Sequence, residues 1–144
     1  MPDGSGPLYN EREIDHMIDV KNLTDAIRQI WFVSVVLVVG GLGYLLSGTE
    51  RRKSGYRAIF HGGITTVSIL LVIAGLILLG WSFFFVQFHE LLFPPGTWTF
   101  YYTDSLIRLF PEQFWFDVGV IMSVGALLLG AAATTVGYLL NRRA

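Results

Sequence analysis

Residues 118–140 read VGVIMSVGALLLGAAATTVGYLL, a stretch without one charged side chain. About 20 mostly apolar residues in a helix cross the hydrocarbon core of a bilayer, so this segment predicts a membrane span. Working outward, two more segments meet the same requirement. One runs over residues 23–46 and becomes uncharged from Ile30 (IWFVSVVLVVGGLGYLLSG), and the other covers residues 58–88 with His61 as its only titratable side chain. In lipid each backbone must satisfy its own polar groups, which a helix does. The composition agrees: 53% of the 144 residues are hydrophobic and the mean hydropathy is +0.55, more than a small water-soluble domain carries. The expected fold class is an all-α membrane protein with three transmembrane helices, an amphipathic N-terminal interfacial helix and an aromatic-rich extracytoplasmic loop.

Orientation is read from Lys and Arg, which accumulate on the cytoplasmic side of short connections. The stretch ERRKSGYR, residues 50–57, and the tail Asn141-Arg142-Arg143-Ala144 are both basic. In the amino-terminal segment Asp3, Glu11, Glu13, Asp15, Asp19 and Asp25 outnumber Arg12 and Lys21. The expected layout is an extracytoplasmic segment 1–22, a span 23–47, a basic cytoplasmic turn 48–57, a span 58–88, an extracytoplasmic functional loop 89–117, a span 118–140 and a cytoplasmic tail 141–144. The opening MPDGSG lacks the basic start and apolar run of a signal peptide, so the first span is expected to act as its own insertion signal.

Several function classes fall away. A net charge of −1 and a pI near 6.3 provide no basic field for nucleic acid. With no cysteine in the chain, disulfides, thiolate metal sites and a thioester intermediate on the protein are excluded. Neither a Gly-x-Ser-x-Gly elbow nor a phosphate-cradling loop is present.

Small residues mark packing faces. Ala126, Gly130, Ala133 and Gly137 recur at spacings of three or four, a stripe on which another helix can approach closely, and Gly40-Gly41-Leu42-Gly43 offers the same in the first span.

The chemistry gathers at the predicted outer end. Residues 9–21 (YNEREIDHMIDVK) have helical periodicity, with Ile14, Met17 and Ile18 on one side, and Asn22 reads as the N-cap of the span that follows. His16 and Asp19 are then i and i+3 neighbours, so the carboxylate raises the basicity of the imidazole and can fix its tautomer. His89 follows directly on the second span, before the helix-stopping Pro94-Pro95. Thr103-Asp104-Ser105 offers a cap for a short helix 106–110, and Pro111 with Glu112 suits the first turn of the last helix. Phe93, Trp98, Phe100 and Tyr101 supply an aromatic wall. Ionisable groups beside lipid are costly unless paired or used, which makes His16, His89, Glu90, Asp104, Arg108 and Glu112 a site hypothesis. The residues alone leave open an ion-pair clamp in which Arg108 bridges Asp104 and Glu112.

The motif His16-Met17-Ile18-Asp19-Val20, then Phe88-His89 with Phe93, then the run from Asp104-Ser105-Leu106 through Arg108 to Pro111-Glu112-Gln113-Phe114-Trp115 resembles the bacterial membrane-protein family that contains the lipoprotein intramolecular transacylase, Lit. The resemblance implies an enzyme of the bacterial cytoplasmic membrane. It would move an acyl chain from an ester of the diacylglyceryl group to the α-amine of the anchor cysteine, giving the lyso form of a lipoprotein. Its catalytic histidines map to His16 and His89, with Asp19, Trp98, Asp104, Arg108 and Glu112 in support. The implied partners are membrane lipid and a lipid-anchored lipoprotein, with no cofactor and no metal. Relatives of this type carry another span ahead of the His-Met motif, where this sequence has a short polar stretch. Two readings stand beside it: a non-enzymatic membrane scaffold or subunit, and a metal-dependent hydrolase using His16, His89, Asp104 and Glu112 as ligands.

Overall fold

The computed structural model describes residues 6–144; the polar opening 1–5, with Asp3, lies outside the described residues. Five helices follow in order: α1 (Glu11–Ser47), α2 (Thr49–Leu79), α3 (Trp81–Leu92), α4 (Ser105–Leu109) and α5 (Glu112–Arg143). The protein is an all-α membrane protein, because α1, α2 and α5 each combine the length and apolarity needed to cross a bilayer.

Helix α1 corrects two expectations. It runs unbroken through Asn22, so there is no separate interfacial helix and Asn22 is not a cap. The true cap is Asn10, whose side chain accepts from the Glu13 backbone N–H at 3.0 Å, while the Glu13 carboxylate accepts from the Asn10 N–H at 2.7 Å. This reciprocal pair is a capping box. Nothing between Glu11 and Val39 is a helix breaker. The charged middle is further knit by Lys21 to Asp25 at 2.8 Å and Arg28 to Asp25 at 3.0 Å, both at helical spacings. Glu13 and His16 are buried within the protein, while Ile14 and Ile18 are exposed on its outside.

The second span is divided. Gly80 leaves helical geometry and α3 starts afresh at Trp81, where the indole packs edge-on against Phe116 of α5 with ring centroids 5.3 Å apart. Glycine is an inexpensive residue at which to interrupt a helix, since its helical preference is already low. The basic stretch 50–57 is helical too: the turn is reduced to Gly48, and Arg51, Arg52, Lys53 and Arg57 are exposed on the first turns of α2.

Helices α2 and α5 pack antiparallel along small residues. A Cβ on Gly63 would lie 2.6 Å from the backbone nitrogen of Thr134, and one on Gly137 would lie 2.5 Å from that of Phe60. Backbones this close need glycine at the crossing, and the gain is dispersion contact that bulkier residues would prevent. The Gly130 and Gly137 half of the expected stripe therefore faces α2. Gly40, Gly41 and Gly43 have open space instead, with nothing within 4 Å of a Cβ, and serve no packing within the described residues. The basic start of α2 and the Arg142-Arg143 end of α5 share one end of the bundle. The amino terminus of α1, helix α3, the loop 93–104 and α4 form the other.

Candidate functional site

His16 and His89 meet at that second end. His16 lies on the second turn of α1 and is 7% exposed, while His89 sits in the last turn of α3 and is half-buried. Their ring centroids are 6.1 Å apart and the planes are inclined by 28°. Residues separated by most of the chain are brought together because α1 runs from the Gly48 turn to this end on its own while α2 and α3 climb to it on the other side.

Aromatic rings enclose the pair. Phe93, 7% exposed, stands edge-on to His16 at 4.9 Å and lies 5.5 Å from His89. Phe100 reaches His16 at 5.4 Å. Trp98 tilts over His89 at 5.1 Å, and Phe85 lies beneath it at 4.2 Å. Tyr101 is exposed, with the Arg12 guanidinium 4.9 Å from its ring.

The environment sets the protonation of both histidines, which lie outside the apolar spans. Burial lowers the pKa of His16 below its ordinary value; the nearby His89 lowers it further, and the Asp19 charge raises it. Burial lowers His89 as well, opposed by its bond to Phe85. Asp19 acts on His16 through space, since no hydrogen bond joins them and His16 Nδ1 is buried without a partner. In His89 the Nδ1 lies 2.7 Å from the carbonyl oxygen of Phe85. A carbonyl only accepts, so Nδ1 carries the proton, and in the neutral ring the lone pair is on Nε2.

The loop is fastened by two carboxylates. Asp104 accepts from Arg12 Nη2 at 2.8 Å, from the Tyr101 N–H at 2.8 Å and from Asn10 Nδ2 at 3.1 Å. Arg12 therefore holds Asp104, and the Arg108 clamp that the sequence left open does not form: among the described residues Arg108 is exposed and makes no ion pair with Asp104 or Glu112. Glu112 is exposed and accepts a long hydrogen bond from Ser82 at 3.4 Å. Helix α4 begins at Ser105, one residue earlier than expected, and Asp104 occupies its N-cap position without a side-chain cap bond.

The second fastening was missed in the sequence. Glu13 is 1% exposed. Beyond its capping-box bond to Asn10, its other oxygen accepts from the Leu106 N–H at 2.6 Å. The signal was the Asn10-x-x-Glu13 pattern ahead of a long helix; the bond to Leu106 has no local signature.

No three His or carboxylate side chains converge as a metal site among the described residues. The His and carboxylate set considered above is split, with Asp104 committed to Arg12.

The chain is 28% identical over 131 residues to an uncharacterised protein of Aquifex aeolicus strain VF5, an alignment covering 91% of this chain and 57% of the relative. The chain thus spans little more than half the length of that relative. No solved structure matches it. The family model described as lipoprotein intramolecular transacylase Lit matches residues 5–115, from the capping box of α1 through the histidine pair to the start of α5. The chain belongs to the Lit family.

Proposed function

We propose that this protein is an integral membrane acyltransferase that carries out intramolecular O-to-N acyl transfer on the diacylglyceryl cysteine of bacterial lipoproteins. The observation that carries the reading is the pairing of His16 and His89, 6.1 Å apart inside an aromatic enclosure. Ring centroids 6.1 Å apart put both imidazoles beside one small space, where a single ester group could meet the two of them.

The reaction asks for little more. The α-amine of the substrate cysteine attacks the ester carbonyl carbon and an imidazole takes the amine proton. The tetrahedral oxyanion then collapses, breaking the bond to the glyceryl oxygen, which leaves with a proton from an imidazole. A new amide carbon–nitrogen bond replaces the ester carbon–oxygen bond, and no redox or energy-supplying partner is needed. His89 suits the base, because its neutral ring offers the Nε2 lone pair and its orientation is fixed by Phe85. The substrate tethers its own nucleophile beside its own ester, which supplies much of the proximity advantage and makes a protein nucleophile unnecessary. Phe93, Trp98 and Phe100 keep water from the ester, favouring transfer over hydrolysis. Asp19 supports His16 through its charge.

Placement of the site end on the outer side of the cytoplasmic membrane is supported by the basic residues at the opposite end, Arg51 to Arg57 and Arg142-Arg143. There a lipoprotein's glyceryl ester and free amino terminus lie together. The test is expression in bacteria lacking amino-terminal lipoprotein acylation, with mass spectrometry of the lipopeptides. A lyso form bearing an amide-linked acyl chain is expected. Its absence from a folded, inserted sample overturns the proposal.

A further inference from the structure

We propose that Glu13 is a positioning residue of the site: its buried carboxylate, shared between the first turns of α1 and α4, holds the loop 93–104 across the paired imidazoles. The role rests on the histidine-pair reading above.

A carboxylate that is 1% exposed is costly unless both oxygens are satisfied. An ordinary capping box uses one oxygen and sits at the surface. Here the second oxygen crosses to the Leu106 N–H, 93 positions away in sequence, at 2.6 Å, a short charge-assisted bond. Helix α4 needs that acceptor from elsewhere, because the carboxylate at its own N-cap is occupied by Arg12, Tyr101 and Asn10.

The mechanical consequence follows from spacing. Glu13 and His16 are i and i+3 on α1, so they share one face. The loop leaves α3 at Phe93, presents Trp98 to His89 and Phe100 to His16, and is pinned at its far end by the Glu13 bond. One turn of α1 thus carries both an imidazole and the anchor of the wall that covers it. The Arg12–Asp104 bond is the other fastening, and the Arg12 side chain is 37% exposed, which leaves the bond to the buried Glu13 carboxylate as the less screened one.

The experiment uses the full chain in lipid nanodiscs. Glu13→Gln keeps the shape but leaves only one acceptor oxygen for two N–H groups. Leu106→Pro removes the crossing donor and leaves the α1 capping box intact. Hydrogen exchange is expected to quicken roughly tenfold or more at residues 97–109 in both variants, with α2 and α5 unchanged. The ring titrations of His16 and His89, followed by NMR, should move up toward 6.5 as water reaches the rings. Released fatty acid should rise relative to transferred chain. Unchanged loop exchange in both variants overturns the proposal. So does loosening spread over every helix, or a loosened loop with unmoved histidine titrations. If the wild type transfers no acyl chain, the proposed reaction falls, while exchange and titration still decide whether Glu13 positions the loop.

Discussion

The imidazole of His89 is tied to the carbonyl of Phe85, one helical turn earlier, by a 2.7 Å hydrogen bond. Because that bond consumes Nδ1–H, the orientation and tautomer of His89 are set by its own helix and do not wait for a substrate. Such preset geometry is what a general base requires. His89→Ala should lower acyl transfer by about 10²- to 10⁴-fold, as should His16→Ala. Removing both should cost little more than removing one, since groups acting on one carbonyl fail as a unit. Lyso-lipopeptide yield at matched membrane expression checks all three variants.

The same burial that encloses the rings determines the pH response. Both pKa values lie below the ordinary histidine value, so each imidazole keeps its neutral form to a lower pH than a free histidine does. Protonation removes the lone pair and stops the base. Activity should therefore fall only as pH drops through the lowered pKa, giving an acid limb that lies below 6.5. Asp19→Asn removes the charge that raises His16, so its pKa falls further. If His16 contributes to that limb, the limb should shift to lower pH in this variant and never to higher.

Most of the fold was readable because long uncharged runs have one solution in lipid. What was not readable depended on particular residues. Asn22 has the side chain of a cap, yet the helix passes through it because nothing nearby competes with continuation and Lys21, Asp25 and Arg28 bridge the region. Gly80 lies within an apolar run in which hydropathy gives no boundary, and only the docking of Trp81 on Phe116 shows why a new helix starts there. For the site, His16 and His89 came from motif and resemblance. Local spacing left open a pairing of Asp104 with Arg108, whereas the fold pairs it with Arg12, 92 positions distant. Long-range partners of this sort leave no periodic trace in sequence.

That exchange of partners has a direct test. Asp104→Ala removes acceptors from Arg12, Tyr101 and Asn10 at once, and Arg12→Ala removes the ion pair and the cation above Tyr101. Because the pair is partly exposed, each change should weaken the loop by about 1–2 kcal/mol. Arg108→Ala should stay within about 0.5 kcal/mol of the parent, as expected for an exposed side chain that pairs with no described residue. Protease susceptibility of the 93–109 region ranks the three. An Arg108→Ala effect as large as that of Arg12→Ala would restore the local clamp.

Stability of the bundle should depend on which glycine is filled. Gly137 and Gly63 face backbone atoms of the opposite helix, at 2.5 Å from Phe60 N and 2.6 Å from Thr134 N for a built Cβ. Backbone cannot swing aside as a flexible side chain does, so Gly137→Leu or Gly63→Leu must push α2 and α5 apart. The loss should be at least the roughly 1–3 kcal/mol typical of overpacking. Gly41→Leu, where a Cβ meets nothing within 4 Å, should leave the α2–α5 pairing intact and gain slightly from improved helix propensity. Thermal unfolding in detergent, followed by tryptophan emission, separates the two cases. The expected order is a clear fall in midpoint for Gly137→Leu and Gly63→Leu and none for Gly41→Leu. Equal falls at Gly41 and Gly137 would mean that the first span packs where this arrangement leaves it open.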